Sequence, residues 1–177
     1  WLVEAGPASV GRVHTHLGNF GILVRAYTYI RSLGAEGLRE VADDAVLNAN
    51  YLRQRLKAFY DLPYDRPCTH EVVFASTRQK RQGATTLDIA KRLIDFGIHP
   101  PTVYFPLIVD EALMIEPTET ESLESLDRFI EVMIVIAEEA AAGADALHEA
   151  PRYAPVGRLD EVAANRRPDV RWTRDGA

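Results

Sequence analysis

Residues 89–121 constrain this chain more than any other stretch. They read IAKRLIDFGIHPPTVYFPLIVDEALMIEPTETE. Ile89, Ala90, Leu93, Ile94 and Phe96 recur at helical spacing and predict one buried helix side. Gly97 is placed to end that helix, and Pro100-Pro101 cannot continue it, because proline lacks an amide donor. Val103-Tyr104-Phe105 then reads as a strand, with Pro106 marking a sheet edge or the end of pairing. Asp110-Glu111 predicts a turn, and Ala112-Leu113-Met114-Ile115 the return strand. Thr118 to Glu121 fits a capping box, with Thr120 and Ser122 competing to cap the next helix.

The flanking segments supply helices and one more strand. Asn19 is a suitable N-cap for a helix carrying Phe20, Leu23, Val24, Tyr27 and Ile30 on one side. Gly34 ends that run and the helix restarts near Glu36. Leu38, Val41, Ala45, Ala49, Leu52, Leu56 and Phe59 then keep three-four spacing until Pro63 and Pro67. Asn48 and Asn50 are read as solvent-facing. Residues 68–75, CTHEVVFA, predict a strand, and residues 78–83, RQKRQG, a charged loop. Thr85 or Thr86 caps the following helix, with Asp88 near its positive end. Leu123, Leu126, Ile130, Met133 and Ala137 give a last amphipathic helix, which fades before Gly143. The predicted division is a linker or loop at 1–18, connector helices at 19–62, a small α+β domain at 68–142 and an irregular surface tail at 143–177. The fold class expected is α+β, with a leading helix pair and a three-stranded sheet covered by helices.

Composition excludes several classes of function. The net charge is −6, which disfavours a nucleic-acid groove or an anionic membrane surface as partner. The longest apolar run is far short of a bilayer span, so no transmembrane helix is expected. No basic segment leads into an apolar one, so no signal peptide is expected either. A lone cysteine, Cys68, suits a reducing, cytoplasmic setting. The chain opens Trp-Leu-Val-Glu without Met, which points to a trimmed start or a missing front part.

Site chemistry is sparse. No glycine-rich phosphate loop is present. His14 and His16 share one face of an extended segment but lack further ligands, so no metal site is predicted. Cys68 and His70 lack an orienting third group, which disfavours a nucleophile–base pair. Arg78, Lys80 and Arg81 can bind an anion, although a solvated loop is the plainer reading. Glu116 and Glu119 can serve as acid and base, or simply complement a helix dipole. His99, held between Gly97 and two prolines, is the best single candidate for a functional side chain.

Four segments carry a resemblance. GRVHTHLGNFGILVRAYTYIRSLGAEGL, LPYDRPCTHE, LDIAKRLIDFGIHPPTVYFPLIVDEALMIEPTETES and the closing APRYAPVGRLDE…RRPDVRW resemble the C-terminal part of the glycine dehydrogenase (decarboxylating) family. This is the P-protein of the glycine cleavage system, and the likeness is to its subunit 2 type. It runs from about Ser9 to Trp172. The resemblance implies the small C-terminal domain of a fold type I pyridoxal-phosphate enzyme. Such an enzyme decarboxylates glycine on the cofactor and transfers the aminomethyl group to lipoyl H-protein. The implied partners are an N-terminal large domain, P-protein subunit 1 and H-protein.

The family's cofactor lysine follows a histidine in the large domain, and here Lys57, Lys80 and Lys91 all lack that context. The expectation is that this chain alone holds no pyridoxal phosphate covalently, carries no catalytic or cofactor-binding residue of its own, and decarboxylates nothing. His70, His99 and Glu116 are expected near the active-site mouth or the lipoyl channel. Met114 is expected to face the substrate carboxylate, on a strand where many fold type I enzymes place an arginine. No Arg or Lys occurs between Pro100 and Asp127, so the carboxylate is expected to lie against an uncharged wall that eases its loss. The alternative is a stand-alone interaction module that kept the fold and lost the chemistry.

Overall fold

The computed structural model describes residues 6–11 and 18–172. His14 and His16 lie outside the described residues. Two compact units divide the chain, residues 1–41 and residues 42–177.

In the first unit, Asn19 caps the start of α1 (Phe20–Leu56), its Oδ1 accepting the amide of Ile22 at 3.2 Å. The helical backbone breaks at Gly34, where φ is 67° and ψ −171°. Glycine has no Cβ to oppose that conformation, so the predicted stop and restart are both present.

The second unit is α+β. The last turns of α1 lead to β1 (Val72–Ala75), α2 (Thr77–Arg81), α3 (Thr86–Asp95), β2 (Thr102–Val103), β3 (Ala112–Ile115), α4 (Leu123–Ala142), α5 (Asp145–His148) and α6 (Glu161–Arg166). The three strands form an antiparallel sheet in the order β1-β3-β2. Strand residues alternate faces. Val72 and Phe74 pair with Ile115 and Leu113 on the face that meets the helices, and all four are buried. Leu52, Leu56 and Tyr60 enter the same core from the α1 side. Ile130, Met133 and Ile136 of α4 join it, together with Ile89 and Leu93 of α3. The opposite sheet face carries a smaller cluster of Ala75, Ala112 and Val109, with Val73 against it.

Several sequence expectations change. The charged loop predicted at 78–83 is instead α2, with Arg78 ion-paired to Asp61 and Lys80 to Glu111. The connector helices do not end ahead of the small domain, because Leu52, Leu56 and Tyr60 are part of its core. Asn48 and Asn50 do not simply face solvent. The Nδ2 of Asn48 donates to the Thr118 carbonyl at 3.0 Å. Asn50 brackets Cys68, donating to its carbonyl at 2.8 Å and accepting its amide at 3.1 Å.

The tail is not confined to the surface either. Ala144, Leu147 and Ala150 are fully buried, and the Asp95 carboxylate accepts the amides of Arg152 and Tyr153 at 2.6 and 3.0 Å. Arg158 adds an ion pair to Asp88 at 2.6 Å. Helix α6 covers 161–166 within the tail expected to be irregular, and has no buried residue.

Candidate functional site

The cavity that gathers most of the candidate residues is built from the ends of four elements. Helix α3 starts with a reciprocal capping box between Thr85 and Asp88. Burial pushes the Asp88 carboxyl up, but the Thr85 hydroxyl and amide and the Arg158 guanidinium hold it below its ordinary value. The helix ends in a Schellman arrangement. The Gly97 amide donates to the Ile94 carbonyl at 2.9 Å and the Ile98 amide to the Leu93 carbonyl at 3.1 Å. Gly97 takes a φ of 72°, which sends His99-Pro100-Pro101 away from the helix axis and into β2. β2 is an edge strand, and Thr102 pairs with Met114 of β3.

Beyond β3 the chain runs through Glu116 and Pro117 to Ser122, whose hydroxyl caps α4 by accepting the Ser125 amide at 3.1 Å. Ser122 thus wins over Thr120. The 118–121 turn is pinned from three directions. Asn48 donates to the Thr118 carbonyl, Thr118 and Thr120 share a hydroxyl bond of 2.7 Å, and the Ser125 hydroxyl donates to Glu121 at 2.7 Å.

Between these pieces lies an open cavity of about 500 Å³. Its apolar wall includes Leu52, Ile98, Met114, Ile115, Leu126 and Phe129. Its polar groups are His99, Thr102, Glu116, Glu121, Ser125 and Arg128. His99, Met114 and Glu116 therefore share one cavity. His70 does not line it, but its Nε2 stands 3.7 Å from Oε1 of Glu116, so the four candidates are neighbours.

Arg128 adds a cation to a cavity lining in which the sequence stretch from Pro100 to Asp127 supplies none. Helix α4 folds back across the cavity and brings Arg128 there. One guanidinium nitrogen donates to the Phe96 carbonyl at 3.1 Å, which satisfies a carbonyl at the end of α3. The cavity lining thus includes one cation, Arg128, together with the carboxylates Glu116 and Glu121.

No lysine lines this cavity. Lys57 is ion-paired with Asp65 at 3.6 Å, and Lys80 with Glu111 at 2.7 Å. The hydrogen bond to Glu111 raises the Lys80 pKa, the opposite of what a carbonyl-attacking amine needs. This cavity therefore offers no lysine amine for covalent capture of pyridoxal phosphate. Burial likewise pushes the Cys68 thiol up, away from a reactive thiolate. Among the described residues no group of three or more His, Cys, Asp or Glu is placed to hold a metal, and no helix is long and apolar enough to cross a membrane.

The model of the family described as "Glycine dehydrogenase, C-terminal domain" matches residues 41–152, which take in every residue lining the cavity. Similar curated proteins carry the name "probable glycine dehydrogenase (decarboxylating) subunit 2". That of Halalkalibacterium halodurans is 60% identical over 166 residues, 94% of this chain and 34% of the relative. That of Bacillus velezensis is 60% identical over 168 residues, 95% of this chain and 34% of the relative. Among solved structures, an inhibitor-bound glycine decarboxylase (P-protein) of the glycine cleavage system aligns with a TM-score of 0.51 at 24% identity. It covers 62% of this chain, which spans 24% of that one. The chain spans about a third of the length of the curated relatives it matches.

Proposed function

Because the chain belongs to the glycine dehydrogenase C-terminal domain family, we propose that it works as the C-terminal portion of an enzyme that decarboxylates glycine and passes the aminomethyl group to lipoyl H-protein. In this reading pyridoxal phosphate is held by a larger N-terminal part, where it supplies the electron sink for decarboxylation. The chain by itself has no activity, and P-protein subunit 1 completes the assembly. Its own contribution is a shaped wall. His99, Glu116 and Arg128 line the mouth through which substrate or the lipoyl arm passes, Met114 and its apolar neighbours exclude water, and His70 orients Glu116.

The observation that carries this reading is that the family match encloses the whole cavity, including the four segments that build it. The test is a chimera in which this chain replaces the matched third of the H. halodurans relative. With pyridoxal phosphate, subunit 1 and H-protein, the chimera is expected to release carbon dioxide from carboxyl-labelled glycine. The 177-residue chain alone is expected to release none and to lack the visible absorbance of a lysine-bound cofactor. His99→Ala and Glu116→Gln in the chimera are each expected to lower kcat/KM by about tenfold, the range of one lost polar contact at a reacting centre. Turnover by the chain alone, or full turnover by both variants, counts against the proposal.

A further inference from the structure

The β2–β3 hairpin carries the cavity at its open end and an unusual loop, residues 104–111, at its closed end. Both flanks of the loop are left-handed, Tyr104 with φ 58° and Glu111 with φ 50°. A residue with a Cβ pays about 1 kcal/mol or more for that conformation, and it persists only where the surroundings impose it.

The surroundings do impose it. The Tyr104 amide donates to the Ala112 carbonyl at 2.9 Å, and the Ser76 amide to the Glu111 carbonyl at 3.0 Å. The Glu111 carboxylate is 7% exposed, and its Oε2 accepts the Thr86 amide and hydroxyl at 2.9 and 2.8 Å. Its Oε1 takes Lys80 at 2.7 Å. Inside the loop the Val109 amide donates to the Pro106 carbonyl at 3.0 Å, with Val109 buried beneath.

What this frame presents to water is apolar. Leu107 is 88% exposed, Ile108 77% and Phe105 51%. Three adjoining large hydrophobic side chains on a fixed loop differ from the scattered exposed leucines of an ordinary surface. Fixing them in advance lowers the ordering cost of binding. The charges nearby are already matched. Lys80 faces Glu111 and Asp110, Arg78 faces Asp61, and Lys57 faces Asp65. The loop therefore suits an apolar socket and needs no charged partner.

We propose that residues 104–108 are a preformed knob that seats in an apolar socket on the part of glycine dehydrogenase lying outside the third that this chain matches. This rests on the reading of the chain as that enzyme's C-terminal portion. The curated relatives carry about two thirds of their length beyond the match, so a much larger body is available to cover the knob. Thr102 and Val103 join the knob directly to the cavity rim, so seating one end of the hairpin fixes the position of the other.

The test pairs the 177-residue chain with the remainder of the H. halodurans relative, expressed as a separate polypeptide and titrated by calorimetry. The wild-type chain is expected to bind. Leu107→Ser/Ile108→Ser is expected to bind at least about tenfold more weakly, as for the anchors of an interface. Leu159→Ser, an exposed control elsewhere, is expected to bind as the wild type does. Both serine variants should keep the isolated chain's Tm, because their side chains are exposed. In the chimera, which does not require the remainder to stand alone, the loop variant alone should lower Tm.

Undiminished binding and an unchanged chimera Tm in the loop variant overturn the proposal, as does absence of binding by the wild type. So does a self-association of the chain that the loop variant abolishes, since the occupant is then a second copy. A chimera that turns over glycine while the loop variant changes nothing sinks the knob and leaves the enzymatic reading standing. Tight loop-dependent binding without turnover does the reverse.

Discussion

Glu111 is the residue on which most local order depends. It caps α3 from another element, neutralises Lys80 and ends the β2–β3 loop in a left-handed conformation. Burial pushes its carboxyl up, but the hydrogen bonds from Lys80 and from the Thr86 amide and hydroxyl outweigh burial and leave the pKa below its ordinary 4.5. A lowered acid pKa stabilises the fold above the unfolded value, and that stability is lost as pH falls through the folded value. Lys80 has the opposite sign, raised above 10.5 mainly by its bond to Glu111, so its share is lost only as pH rises through that higher folded value. Glu111→Gln is therefore expected to cost about 2 kcal/mol at neutral pH, the worth of hydrogen bonds to a charged group. Urea unfolding should show the gap from wild type shrinking below about pH 4.5. A gap that stays constant into acid would mean the side chain acts by shape alone.

At the scale of elements, local signals were legible and distant partners were not. A helix start at Thr85 or Thr86 with Asp88 near its positive end could be read because cap and dipole partner lie within one turn. The reciprocal box that selects Thr85 is visible only in the fold. Gly97 could be read as a stop because a Schellman turn favours glycine at that position. Helix α2 was missed because five residues with three charges give no apolar stripe to count. It is held by ion pairs to Asp61 and Glu111, which lie well away in sequence.

The cavity divides in the same way. His99 and Glu116 stood out as unusual residues in a scaffold, whereas nothing in the sequence singled out Arg128. Only the fold-back of α4 brings it to the cavity. The two kinds of signal differ in energetic weight. Leu113, fully buried at the centre of β3, is expected to cost about 2–5 kcal/mol as Leu113→Ala. Thr85→Ala, which removes a cap, is expected to cost about 1 kcal/mol. Denaturant midpoints for the two variants would check that order, and comparable losses would place α3 in the role here given to the sheet.

For the molecule as a whole, the segment past α4 decides how far the core extends. Its composition, rich in proline and arginine, read as a surface tail, because no apolar period announces burial. Packing instead uses isolated positions, with Ala144 and Leu147 buried in the main core, Ala150 buried as well, and backbone hydrogen bonds to Asp95 that no spacing rule anticipates. Asp95 sits under this strap. Burial pushes its carboxyl up, while the Tyr153 and Arg152 amides and the Arg92 guanidinium pull it below its ordinary value. Removing the strap would leave that carboxylate without its two amide donors and take Ala144 and Leu147 out of the main core. Two truncations separate the strap from the residues C-terminal to it. Ending the chain after Gly143 is expected to abolish cooperative unfolding or lower stability by several kcal/mol, in the manner of a deleted core residue plus a stranded acid. Ending it after Asp160 keeps the Arg158–Asp88 pair and removes only residues that bury nothing in the described fold, so the change should stay within about 0.5 kcal/mol. Thermal unfolding of the two truncated chains would show this contrast, and equal losses in both would mean that α6 shares in the core after all.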